Sequence, residues 1–250
     1  LEPSSADELL LTEGLSFKTL IRWDDPINAS ERFGFNNDFI AFIPDEAGSS
    51  DSGILWVNHE YTHPFFVSGY EEGMDRTADQ VDKERYSVGG TIMKVKKQDG
   101  KWMVVEDEVN RRITGETPMD LVWNEQIAGA STAEGMVGNC SGGVTPWGTI
   151  LTCEENYDLF YGERHQDGSS EKSYFGWDNF YSNPPEHYGW VVEIDPQSGE
   201  SKKHIALGRC AHECATVKQL EDGRLVVYTG DDANDECLYK FIGSVPNSLD

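Results

Sequence analysis

Three stretches of this sequence repeat one short pattern, and the repetition limits the fold more than any other feature does. Gly53-Ile54-Leu55-Trp56-Val57 runs into Asn58-His59-Glu60. Gly148-Thr149-Ile150-Leu151-Thr152 runs into Cys153-Glu154-Glu155, and Gly223-Arg224-Leu225-Val226-Val227-Tyr228 runs through Thr229-Gly230 into Asp231-Asp232. Each is a turn glycine, a run rich in β-formers, then acid. Each follows another short strand-like run, at 39–43, 142–145 and 215–220. The links, such as Pro146-Trp147-Gly148 and Glu221-Asp222-Gly223, have turn composition, so each unit reads as a β-hairpin.

Further strands follow each hairpin. Gly90–Val95 turns through Gln98-Asp99-Gly100 into Trp102–Val105, and Trp190–Ile194 turns through 195–199 into Lys203–Ala206. Cys237–Ile242 opens a third such hairpin. Four strands per unit, set radially, make a propeller blade. The expected fold is therefore all-β: one β-propeller domain over 1–250, with four-stranded blades in an incomplete set. Two segments, 61–89 and 156–188, read as long functional loops. A propeller has to close its ring, so the chain is expected to be the N-terminal portion of a larger one.

The start of a hairpin's first strand and the end of its second lie at the same end. Asn36-Asn37-Asp38, Asn139-Cys140 and His212-Glu213 stand at those starts. If the units are blades, Asp38, Glu60, Glu154, Glu155, Glu213, Asp231 and Asp232 approach one another. Close carboxylates repel strongly, and Arg209 is the main base nearby in sequence. Multivalent cations are the natural compensation. Carboxylate and amide oxygens suit calcium, magnesium or manganese, whereas a Cys140 thiolate with a His59 or His212 imidazole suits a transition metal.

Bulk composition excludes several function classes. The 250 residues carry 45 acids and 20 bases, a formal net charge of −25. Such a surface repels nucleic acid and anionic lipid. No apolar run reaches the length of a membrane span. The start, Leu1-Glu2-Pro3-Ser4-Ser5, reads as trimmed after removal of an export signal. Cys140, Cys153, Cys210, Cys214 and Cys237 are odd in number and contain no CxxC pair, which argues against a zinc ribbon. Cys210 and Cys214 are spaced for a short-loop disulfide or a share in a metal cluster. No Walker loop or GxGxxG occurs, and Gly138-Asn139-Cys140-Ser141-Gly142-Gly143 lacks the spacing of a serine elbow.

Taken in order, these pieces resemble the PhoX family of alkaline phosphatases. The resemblance rests on Ile21-Arg22-Trp23-Asp24-Asp25-Pro26, Phe33-Gly34-Phe35-Asn36-Asn37-Asp38, Val57-Asn58-His59-Glu60-Tyr61 and the run from Gly138 to Thr149. It continues in Leu151-Thr152-Cys153-Glu154-Glu155, Gly208-Arg209-Cys210-Ala211-His212-Glu213, Gly230-Asp231-Asp232 and Leu238-Tyr239-Lys240-Phe241.

The resemblance implies a six-bladed propeller with a ferric iron pair and several calcium ions on its axis. It implies hydrolysis of small phosphomonoesters outside the cytoplasm, in the periplasm or secreted. Cys140 matches the family's iron-binding cysteine, and Glu213 a glutamate of the same cluster. Glu60, Glu154, Glu155 and Asp232 fall in its acidic motifs, and Asn58 offers an amide oxygen. Family members run longer and carry a later Arg-Pro-Glu motif that this sequence lacks. A second polypeptide carrying that portion is therefore an expected partner, and no catalytic residue is assigned. A calcium-dependent propeller lactonase and a non-catalytic, cation-stabilised binding propeller are the competing readings; the Cys140 thiol speaks against a calcium-only site.

Overall fold

The computed structural model describes residues 4–6 and 8–249. The chain is mostly β, and every sheet among the described residues is open. The first sheet holds β1 (Asn37–Pro44), β2 (Ser52–His59), β3 (Gly89–Gln98) and β4 (Lys101–Val104) as an antiparallel meander. The short β5 (Arg111–Ile113) also pairs with β3. Asp99 and Gly100, which join β3 to β4, have φ of 49° and 75°. Two left-handed residues are what a tight hairpin turn demands, and Asp-Gly supplies them at little cost.

The second sheet contains β6 (Pro118–Val122), β7 (Thr132–Glu134), β8 (Asn139–Val144) and β9 (Ile150–Glu154). Beyond a small hairpin of β10 (Glu163–Arg164) and β11 (Ser170–Glu171), it gains β12 (Val191–Ile194) and β13 (Ser201–His204). Strands β8, β9, β12 and β13 form a second four-stranded meander, and the β6–β7 hairpin joins it through a parallel pairing of β6 with β13. The third sheet is β14 (Thr216–Gln219), β15 (Arg224–Gly230) and β16 (Leu238–Pro246). All five expected hairpin pairings, in β1–β2, β3–β4, β8–β9, β12–β13 and β14–β15, are present.

The sheets stack in chain order, and β8 of the middle sheet lies against both β1 and β14. Side chains alternate across a strand, so the middle sheet feeds two cores. Ile150, Val192 and Ile194 pack with Ala41, Ile54, Trp56 and Ile92 of the first sheet. Their neighbours Leu151, Cys153 and Val191 pack with Ala215, Leu225 and Val227 of the third. A strand buried on both faces needs apolar or hydrogen-bonded side chains, and β9 before Glu154 is apolar except for Thr152, whose hydroxyl bonds Asn58 and Asn139.

The segments 61–89 and 156–188 are not loops with separate fates. They fold together into a lobe whose core is Val81, Val88, Phe160, Tyr161, Phe175, Trp177 and Tyr188, joined by Val137. Helix α1 (Pro64–Val67), helix α2 (Ala78–Ser87) and helix α3 (Asp158–Tyr161) lie here. Helix α2 starts at a reciprocal capping box between Thr77 and Gln80, which satisfies two orphan backbone donors. The buried Glu84 of α2 accepts from Ser68 Oγ (2.6 Å) and Trp177 Nε1 (2.9 Å) and pairs with Arg76. Strand periodicity carries no trace of this lobe, so it is the principal departure from the all-β expectation. No described helix is long and apolar enough to cross a membrane.

Candidate metal centre

One local geometry occurs three times at the common end of the hairpins. Asn37 pairs with His59, Asn139 with Glu154, and His212 with Asp231. In each hairpin the first strand then gains one residue on its partner. Asn37 to Ile40 is three steps against two from His59 to Val57, and Asn139 to Gly142 is three against two from Glu154 to Thr152. His212 to Thr216 is four against three from Asp231 to Tyr228. Such a bulge re-aims the side chains inside it. The residue that opens each bulge is Asp38, Cys140 or Glu213.

The residue after each pairing position on the second strand is Glu60, Glu155 or Asp232. Its backbone is fixed the same way each time: Glu60 N donates to Asn36 O (3.0 Å), Glu155 N to Gly138 O (2.9 Å) and Asp232 N to Ala211 O (3.0 Å). Asn36 and Gly138, at equivalent points, are both left-handed, with φ of 51° and 61°. Asparagine and glycine are the residues that tolerate this conformation. Two positions in three hairpins therefore supply six donors.

The hairpins are tied together at these bulges. Asn58 Nδ2 donates to Cys140 O at 2.5 Å, and Ser141 N donates to Glu213 O at 3.0 Å. The side chains then meet. Ligand atoms of Asp38, Glu60 and Cys140 lie within 4.8 Å of one another, and so do those of Cys140, Glu155 and Glu213. Cys140 belongs to both groups; its Sγ is 3.6 Å from Glu213 Oε1 and 3.8 Å from Asp38 Oδ2. Asp232 adjoins Glu155. No lysine or arginine forms an ion pair with these acids among the described residues.

The electrostatics follow from that crowding. Burial and the nearby Asp38 push the Glu60 carboxyl up to about 8. Burial, then a hydrogen bond shared with Asp232 and the Glu213 charge, raise Glu155. Burial, Asp38, Glu155, Glu60 and Glu213 all hold the Cys140 thiol far above its ordinary value. Tyr61 and Asn156 offset the Glu60 and Glu155 shifts only in part, and both carboxyls stay raised. Hard oxygens around a shared soft sulfur form a donor set that suits multivalent cations.

Glu154, Asn58 and Asp231, all predicted from the sequence, stand outside the two donor groups, and Asp231 instead accepts from Ala211 N at 3.3 Å. Glu154 is fully buried and points away from Glu155. Its carboxylate accepts from Lys203 Nζ (2.7 Å) and from the backbone N–H groups of Val137, Gly189 and Trp190. Burial pushes the Glu154 carboxyl up and the Lys203 ammonium down, and their contact opposes both shifts. Asn58 is also fully buried and committed: its Oδ1 accepts from Trp56 Nε1 (2.6 Å) and Thr152 Oγ1 (2.9 Å). Strand alternation turns Glu154 away from its neighbour Glu155, whereas Asn58, which shares the parity of Glu60, is taken up by its hydrogen bonds to Trp56, Thr152 and Cys140 O.

The two histidines are equally occupied. His59 contacts Phe35 O and Thr91 Oγ1, and His212 contacts Thr229 Oγ1 and Gly208 O. All five cysteines are free thiols, so Cys210 and Cys214 form no disulfide. Asp38 completes the first group although motif matching gave it no assigned role, and Tyr61 was missed. The hairpin alignment in the sequence had already set Asp38 among the converging acids, where Cys140 and Glu213 stand in the other two hairpins. A cleft of 1050 Å³ opens beside Glu155 and Asp232. Arg209 borders it, but is already paired with Glu163 at 3.0 Å and lies over the Tyr157 ring.

Comparison with known proteins gives a consistent picture. The sequence model of the family described as alkaline phosphatase PhoX matches residues 1–248. A solved structure, Pseudomonas fluorescens PhoX in complex with vanadate, a transition state analogue, is similar with a TM-score of 0.78 and 30% identity. The match covers 93% of this chain and 48% of that one, so this chain spans about half the length of that relative. No curated protein sequence matches.

Proposed function

The chain belongs to the PhoX family of alkaline phosphatases, and from that premise we propose that it works as a metal-dependent phosphomonoesterase. The observation that carries the proposal is the meeting of Cys140 with Asp38 and Glu60 on one side and Glu155 and Glu213 on the other. Asp232 extends the second group. We assign iron to the thiolate-bearing centre and calcium to the oxygen-rich flanks, because soft sulfur selects transition metals and carboxylates favour hard cations. Bound there, the cations would supply Lewis-acid polarisation of a phosphoryl oxygen and stabilise the leaving oxygen. The chain's own residues hold these charges in place, with three hairpins cross-tied through Asn58 and Ser141.

The proposal extends to architecture and setting. Two four-stranded meanders and a three-stranded one, stacked in chain order, support radial blades of a propeller. The vanadate complex of the Pseudomonas relative supports chemistry at phosphorus on a small phosphoester. Arg209 is committed to Glu163, so we propose that a phosphate-clamping arginine comes from further sequence, including the option of a second polypeptide. An extracytoplasmic location, periplasmic or secreted, belongs to the same reading.

Hydrolysis of p-nitrophenyl phosphate by the purified protein, with any partner that co-purifies, tests the activity. We expect hydrolysis that a calcium chelator abolishes, and iron and calcium in the protein by mass spectrometry. Hydrolysis that persists after both metals are stripped would overturn the reading.

A further inference from the structure

The two donor groups share Cys140, but a second connection joins them outside the sulfur. Tyr61 follows Glu60 of the first group, and Asn156 follows Glu155 of the second. Asn156 Nδ2 donates to the Tyr61 hydroxyl at 2.8 Å, between residues that the chain separates by 95 positions. Tyr61 and Asn156 also favour the charged forms of the neighbouring Glu60 and Glu155 carboxyls. The Tyr61–Asn156 hydrogen bond therefore joins the positions that directly follow one acid of each donor group.

The bond has a defined direction. Since Asn156 donates to the phenol oxygen, the phenol's own hydrogen is free for the carboxylate beside it. The amide nitrogen carries two hydrogens, so the second remains for Glu155. Both residues are anchored. The Tyr61 ring packs against the core of the lobe, and its backbone N–H donates to Asn36 Oδ1 at 3.2 Å. Asn156 sits at the point where the second lobe segment leaves β9. The third hairpin has no counterpart, because Ala233 follows Asp232. The bridge is thus absent from the shared repeat and belongs to the two hairpins that send segments into the lobe.

We propose that Tyr61 and Asn156 are positioning residues that tie Glu60 to Glu155 and fix which carboxylate oxygens face the cations. This rests on the metal-dependent reading above. A donor on one carboxylate oxygen leaves the other oriented for an ion, and outer partners of this kind are worth about 10- to 100-fold in metal affinity.

The test uses the full chain, stripped and then reconstituted with iron and calcium, with bound metal counted by mass spectrometry across an EDTA titration. Tyr61→Phe keeps the ring in its packing and removes only the hydroxyl. We expect its EDTA midpoint to fall by about tenfold, with a similar fall in Asn156→Ser. Both changes break one bond, so the double variant should lose little beyond either single. Circular dichroism of the metal-free variants confirms that each is folded, and Tyr61→Phe alone suffices if Asn156→Ser is not. A Tyr61→Phe midpoint within about twofold of the parent, or single effects that multiply in the double, would overturn the inference alone. A parent that retains no metal would remove the functional reading first, and this inference with it.

Discussion

Glu154 and Glu155 are consecutive residues, and the regions they enter bury negative charge in opposite ways. Around Glu154 the chain provides its own cation: Lys203, fully buried, meets it at 2.7 Å, with three backbone donors completing the shell. Around Glu155 the chain gathers more acids and a thiol, and no lysine or arginine pairs with them among the described residues. The first region is complete as folded, whereas for the second we propose that the compensating charge comes from cations in solution. A strongly acidic sequence hides this difference, because both regions contribute the same kind of residue to the count.

Lys203→Met should destabilise the metal-free protein by about 3–5 kcal/mol in chemical denaturation, since it leaves a buried carboxylate uncompensated. A loss under about 1 kcal/mol, within the range of an ordinary surface change, would mean that the Glu154 region is not self-sufficient. Glu155→Gln should behave in reverse. Its metal-free stability should not fall, because one repelling charge is gone, while metal affinity drops by at least about tenfold. Equal loss of stability in the two variants would erase the distinction.

A smaller and more graded effect sharpens the same contrast. Glu60 rises from an ordinary 4.5 to about 8 in the folded protein. Folding therefore favours its protonated form. Its contribution to stability is complete below about 4.5 and is lost as pH rises through about 8. Thermal unfolding of the metal-free protein should show stability falling across that window, and saturating metal should flatten the slope. A metal-free stability that rises over the same window would contradict the picture of an uncompensated cluster.

Much of this was legible in the sequence, for physical reasons. Turn glycines followed by β-branched runs specify hairpins locally, so the β1–β2, β8–β9 and β14–β15 pairings could be read directly. The same reading located Cys140, Glu60, Glu155, Glu213 and Asp232 at one end. It could not separate Glu154 from Glu155, because that depends on which face each presents, and register comes from pairing rather than composition. Asn58 was illegible for a different reason: its amide is consumed by partners distant in sequence, Thr152 and Cys140, as well as by Trp56. The lobe was illegible because its core forms between segments about 90 residues apart, as in the Trp177 to Glu84 bond. The only local signal was the Thr77–Gln80 capping box.

Bulge position and strand register, as we propose, select the metal donors, and anomalous diffraction above the iron edge shows where iron binds. We expect an iron peak within bonding distance of Cys140 Sγ, with the carboxylates of Glu155 and Glu213 turned toward it and that of Glu154 still on Lys203. A peak bound by Glu154, or a metal-replete crystal with no peak at Cys140, would contradict it.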